Sequence, residues 1–313
     1  MRVTVIGLFG AALFLVAIPA RAGIYYVTVS GLGGEPDYEQ RFTAMANDLD
    51  KLLKASGSEA HVYTLTGAQA TRGQMTETLG QVAKQAKPED DFVLILIGHG
   101  SFDGVEYKFN LVGPDVSGAE LASLCDHIPS KRQLIVNTSS SSGGSISALE
   151  KPGRAVVAAT KTGTEKNATV FARYWVEALH DPTTDLDKND TITALEAFQY
   201  AETKTAAFYD SQKRLATEHA VFEDTGKGQP VRAAATDTGE GHLLATFTVL
   251  RIGAAQRAAN DPAKRDLLAK KEELEQQIDM LKYQKAAMAQ GDYKKQLTDA
   301  LIELARVQAE LDK

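Results

Sequence analysis

Beyond residue 22 the chain alternates short, dense apolar runs with longer stretches whose apolar positions recur at helical spacing. "IYYVTVS" reads as a strand that breaks into the glycine-rich turn "GLGGEPD". Phe42, Met45, Leu49, Leu52 and Leu53 then share one face of a helix over 38–55. "HVYTL" is a second strand, and Thr71 is placed to cap a helix that runs through Gln85 and stops at Lys87-Pro88. "DFVLILI" is apolar almost throughout, as expected of a central parallel strand covered on both faces. "AELASLCDHI" and "ATVFARYWVEAL" carry helical patterns, while "RQLIVN" and "RAVVAAT" read as strands. Strands recurring with helices between them predict one α/β domain over residues 23–255, built on a doubly wound, mainly parallel sheet. In such sheets chemistry gathers in the loops at the carboxyl ends of the strands.

From residue 256 the period changes. Leu267, Leu274, Leu281 and Met288 recur at seven-residue spacing with Ile278 between them, and Gly291-Asp292 interrupts the pattern. Leu297, Leu301, Leu304 and Leu311 then resume it, so residues 256–313 read as an antiparallel helical hairpin with coiled-coil packing. Such a hairpin either folds back on its own domain or serves as a docking and self-association arm.

The first 22 residues have a different character. A basic start at Arg2, the run "VTVIGLFGAALFLVAI" and the triplet Ala20-Arg21-Ala22 follow the order of a secretory signal peptide, with cleavage expected before Gly23. An uncleaved membrane anchor is the alternative. Cleavage makes the chain an exported protein, periplasmic or secreted, with no membrane attachment. It also removes Arg2 and Arg21, leaving 32 of the 34 basic residues against 41 acidic ones, a net charge of −9. An acidic surface without a basic block argues against nucleic acid as a partner. The single cysteine, Cys125, allows no intrachain disulfide and lies in a helical apolar pattern.

Two strand ends carry candidate chemistry. "GHGSFDG" follows "DFVLILI", placing His99 between glycines at the mouth of the sheet; "NTSSSSGG" follows "QLIV". In this order the two motifs resemble the caspase–legumain group of cysteine peptidases, which place a His-Gly after one central strand. Their nucleophile follows the next long strand, in a pattern of the form Ala-Cys-x-Ser-Gly. The resemblance extends to "SGLGGEPDYEQRF" and "RAVVAATKTGTEKNATVFARYWVEAL" and is strongest to exported bacterial caspase-like proteins. It implies a caspase-like three-layer sandwich, with His99 and Ser140 at the catalytic positions. Gly100, Ser139 and Gly143 then fall around the oxyanion site, and Glu39, Thr160 and Glu165 in the substrate pocket.

The departure from that pattern is chemical. A thiol with a pKa near ~8.5 is partly ionised at neutral pH, whereas an alcohol attacks only if a base takes its proton in step. No acid that would orient His99 is evident beyond the nearby Asp103, and Glu39 stands where the family has a basic pocket residue. Two readings stay open. One is a catalytically impaired pseudo-peptidase that binds a peptide or protein ligand; the other is a hydrolase using a Ser140–His99 dyad. The nucleophile chemistry favours the first.

A third motif is "DLDKNDTITALE". Asp185, Asp187, Asn189, Thr191, Thr193 and Glu196 fall at positions 1, 3, 5, 7, 9 and 12 of a calcium-loop template. Position 6 is Asp190 rather than glycine, and Thr193 with Glu196 also reads as a helix capping box. The chemistry requires no cofactor; calcium is the ion for which the chain carries a template.

Overall fold

The computed structural model describes residues 22–57 and 59–313, so the expected leader, except for Ala22, lies outside the described residues. The chain runs from β1 (Ile24–Ser30) through α1 (Pro36–Lys54), β2 (Ala60–Leu65) and α2 (Arg72–Gln85) to β3 (Asp91–Ile97). A three-stranded excursion follows: β4 (Gly100–Phe102), β5 (Tyr107–Phe109) and β6 (Val116–Ser117). Next come α3 (Gly118–Asp126), β7 (Arg132–Asn137), the short α4 (Ile146–Leu149), β8 (Arg154–Ala158) and α5 (Phe171–His180). β9 (Thr191–Thr193), α6 (Ala194–Ser211), β10 (Val221–Glu223), α7 (His242–Thr246) and β11 (Thr248–Arg251) complete the α/β part. Three helices end the chain: α8 (Gly253–Asn260), α9 (Arg265–Gln284) and α10 (Gln290–Leu311).

The main sheet has the order β10-β8-β7-β3-β1-β2 and is parallel except for the edge strand β10. Side chains alternate across it. Tyr26, Val93, Ile95, Ile97, Leu134 and Val136 join a core with α1, α5 and α6. Val27, Phe92, Leu94, Leu96, Ile135 and Val156 join a second core with α2, α3 and α4. The result is three layers, helix–sheet–helix, with β3 buried on both faces as its unbroken apolar run predicts. Thr71 caps α2 by accepting the Gln74 N–H, and the Cys125 thiol is fully buried, which pushes its pKa up to about 12.

The hairpin lies on its own domain. Lys264 Nζ, before α9, reaches the Leu311 carbonyl at the end of α10, so the two helices run antiparallel. α9 buries Leu268, Leu274, Ile278 and Leu281, and its Glu272 grips Arg251 of β11 through both carboxylate oxygens. The expected seam differs on α10. Ala300 and Val307 are its buried positions, and Leu301 is 47% exposed. A small residue at 300 lets the helices approach closely, which turns Leu301 out of the contact. Among the described residues no helix is long and apolar enough to cross a membrane.

Candidate functional site

The carboxyl ends of β8, β7, β3 and β1 lie side by side, so the loops that follow them line one edge of the sheet. β1 is flanked by β2 and β3, making the β1/β3 boundary the point where the strand order reverses. A crevice forms at such a point in open α/β sheets. His99 sits there. Its half-buried ring meets Tyr38 and Phe42 of α1 edge-on, with centroids 4.6 and 5.1 Å away. Burial lowers the pKa of its imidazole; a hydrogen bond to the Gly33 backbone opposes that effect, and the Arg41 charge adds to it. Burial thus favours the neutral form of the ring.

Glu39 lines a surface pocket with Pro36, Gln40, Thr43, Ala44 and Asn47. Its Oε2 accepts the Gly33 N–H at 2.8 Å and so fixes the turn that holds His99. A side chain on Gly33 would put its Cβ 2.3 Å from the Glu39 nitrogen, which is why the turn needs glycine there. Asp103 is committed within its own turn. Its carboxylate accepts the Val105 and Glu106 N–H groups in the exposed β4–β5 turn, and those bonds lower its pKa.

The serine turn follows β7, the strand next to β3. Period-two alternation sends Asn137 and Ser139 to the sheet face opposite α1. The Ser139 hydroxyl lies 2.6 Å from Tyr107 Oη and donates to Asn137 Oδ1 at 2.8 Å, fully buried. Ser140 has the other parity, the one it would share with His99, but its hydroxyl does not turn to the imidazole. It accepts the Gly100 N–H and donates to the Gly100 carbonyl, both at 3.0 Å. The residue is 3% exposed. Ser141 adopts the left-handed conformation (φ 58°) and donates its N–H to the Glu165 carbonyl. Among the described residues its buried hydroxyl has no hydrogen-bond partner. Ser142 Oγ accepts the Thr160 N–H, while Thr160 Oγ1 accepts the N–H of Gly143.

The consecutive serines thus sew the β7 turn to its neighbours on both sides. Small hydroxyls suit a place where backbones touch: a Cβ on Gly100 would lie 2.5 Å from the Ser140 carbonyl, and one on Gly143 2.5 Å from the Thr160 carbonyl. Glu165 is likewise committed. It accepts the Lys161 N–H and pairs with His219 Nδ1 at 2.5 Å. The sequence reading missed Tyr38, Phe42, Tyr107 and His219, which reach the edge of the sheet from distant parts of the chain. Only the helical spacing of Phe42 placed it on an inward face.

The calcium-template loop lies away from this edge, between α5 and α6. Asp185, Asp187 and Glu196 bring carboxylate oxygens within 4.8 Å of one another. Asp185 accepts the Asn189 and Asp190 N–H groups, and Asp190 takes the left-handed conformation (φ 66°) that position 6 demands. Asn189 joins them through its amide, whose Nδ2 donates to Asp187 Oδ2 at 3.2 Å. Asn189 Oδ1 accepts from Thr191, and the Thr193 hydroxyl bonds Glu196 in the capping box. Burial, then the charges of Glu196 and Asp185, push the Asp187 carboxyl up to about 6. Lys271 of α9 donates to the Asn189 carbonyl at 2.6 Å, tying the hairpin to this loop.

No family model and no curated protein matches the chain. Solved structures show likeness at low identity. A structural-genomics protein from Geobacter sulfurreducens is 13% identical over 66% of this chain and 94% of its own, with a TM-score of 0.45. The Drosophila initiator caspase Dronc is 12% identical over 66% of this chain and 81% of its own, with a TM-score of 0.42. Caspase-1 from Spodoptera frugiperda is 12% identical over 65% of this chain and 87% of its own, with a TM-score of 0.46.

Proposed function

We propose that this is an exported protein of the caspase–legumain type whose nucleophile chemistry is lost, and that it binds a peptide or protein segment in the crevice beside His99. The observation that carries this reading is the Ser140 hydroxyl. Attack by an alcohol requires a base positioned on its proton. Here that proton is directed to the Gly100 carbonyl, and the imidazole is held against α1 instead. The Gly100 N–H, which would stabilise an oxyanion, already donates to the same hydroxyl. What remains is an imidazole packed against Tyr38 and Phe42 at the strand-order reversal, an arrangement suited to binding more than to bond cleavage.

A fluorophosphonate probe applied to the purified mature protein tests this. The expected result is no labelling above that of Ser140→Ala and His99→Ala. Labelling that disappears in both variants would establish the Ser140–His99 hydrolase instead. A second measurement follows the thiol of Ser140→Cys with iodoacetamide. Its rate should not exceed that of free cysteine at the same pH, because nothing at the turn removes its proton.

We also propose that the loop 185–196 takes a calcium ion on Asp185, Asp187 and Glu196. The support is the spacing of these residues together with the approach of their oxygens to within 4.8 Å. Their carboxylates are hard oxygen donors held in place by backbone N–H groups. Calorimetry should find a weak site, with Kd in the ~10⁻⁴ to 10⁻³ M range of extracellular modules. Asp185→Ala and Asp187→Asn should each abolish the heat, and no heat at millimolar calcium would leave the capping box as the loop's whole purpose.

A further inference from the structure

The expected cleavage point falls one residue before β1 begins. Ala22 is exposed, whereas Gly23 is buried. The Gly23 nitrogen lies 2.7 Å from Asp90 Oδ1, and its carbonyl accepts the Asp91 N–H at 2.9 Å, at the start of the β1–β3 pairing. Asp90 is itself only 5% exposed, and its Oδ2 accepts the Lys87 N–H at 2.7 Å. One oxygen of a buried carboxylate is therefore held by the loop before β3, and the other is aimed at the nitrogen that cleavage would set free.

We propose that removal of the leader between Ala22 and Gly23 converts this amide contact into a buried ammonium–carboxylate pair, so that processing completes the fold. Hydrolysis of the Ala22–Gly23 peptide consumes one water. The carboxylate leaves with Ala22, and the amine on Gly23 takes up a proton at neutral pH. Three N–H donors then stand where one stood, and the bond to Asp90 becomes charge-assisted. The groups near this nitrogen and its partner are the Glu59 backbone carbonyl, the ring of His61 stacked on Tyr25, the Tyr25 hydroxyl, which feels the Asp90 charge, and the Asp91 carboxylate, which is paired with Arg132. The precursor, lacking the pair, would be the less stable form, which suits a chain that must cross a membrane before folding.

This inference rests on the export reading above, and the experiment separates the two. The precursor is exported, and the purified protein is sequenced from its N-terminus. A start at Gly23 is expected, and any other start overturns the processing step. Thermal unfolding is then compared with a variant carrying one alanine inserted between Ala22 and Gly23, so that processing leaves an extra residue ahead of Gly23. An α-amino group has an ordinary pKa of about 7.7–8.0, and a carboxylate partner raises it in the folded state. The added stability should therefore be full below that range and fade as the pH rises through the folded value. The Gly23-start protein should melt higher than the inserted variant at pH 7, with the gap closing by about pH 10, and its amine should resist acylation. Asp90→Asn should close the same gap at pH 7. Equal melting of the two forms across this range, with Gly23 confirmed as the first residue, would overturn the ion pair while leaving export intact.

Discussion

Glycine 100 shows how little room the site allows. Its amide and carbonyl both bond the Ser140 hydroxyl, and an added Cβ would also lie 2.7 Å from the Tyr107 ring and 2.8 Å from Ser139 Oγ. Gly100→Ala should therefore cost about 1–3 kcal/mol of overpacking, read as a lower midpoint in urea with an unchanged slope. His99 gives a pH signature at the same scale. Burial lowers its folded pKa below the ordinary value near 6.5. The unfolded chain then binds the proton more readily, so stability should fall as the pH drops through about 6.5 toward the folded value. Replacing His99 with glutamine should flatten that part of the profile; an unaltered profile would remove His99 as its source.

Among elements, α9 links the two features that lie away from the serine edge. It covers the template loop through Lys271 and clamps β11 through Glu272. β11 pairs in turn with β9, which carries Thr191 to Thr193 of that loop. Order in the loop and seating of the helix should therefore be coupled. Lys271→Met keeps the apolar stem and removes the bond to the Asn189 carbonyl. It should lower the melting temperature and raise amide exchange over residues 185–193 more than over β3. Equal exchange throughout would show that the helix and loop are independent.

For the molecule as a whole, the hairpin is a structural wall rather than a free arm. Leu268, Leu274, Ile278 and Leu281 are each at most 9% exposed, and burying such side chains contributes roughly 1.5–3 kcal/mol apiece, shared between the hairpin seam and the domain. Truncation after Gln256 should leave helix and strand content in circular dichroism. It should also lower the melting temperature and raise the scattered mass, because β11 and α7 lose their cover. An unchanged melting temperature and mass would mean that the domain does not depend on the wall, and would favour self-association through the exposed Leu301 and Ile302 instead.

Periodicity alone determined the parallel sheet, the helices over 38–55 and 71–85, and the antiparallel hairpin, because burial on one face or two leaves a direct trace in the spacing of apolar residues. Local chemistry also placed His99 and the serine turn at strand ends, and the carboxylates of Asp185, Asp187 and Glu196 in one loop. Tertiary structure decided where those side chains point. Strand parity and the small β4–β5–β6 sheet turn Ser139 toward Tyr107, the backbone of Gly100 takes the Ser140 hydroxyl, and α1 takes the imidazole. Each of these outcomes depends on groups 30 or more residues apart, such as Gly100 with Ser140 and His99 with Tyr38, whose contact no local pattern encodes. The same holds for Leu301. A heptad names the stripe, but the rotation that buries Ala300 instead is set by how closely two helices can pack.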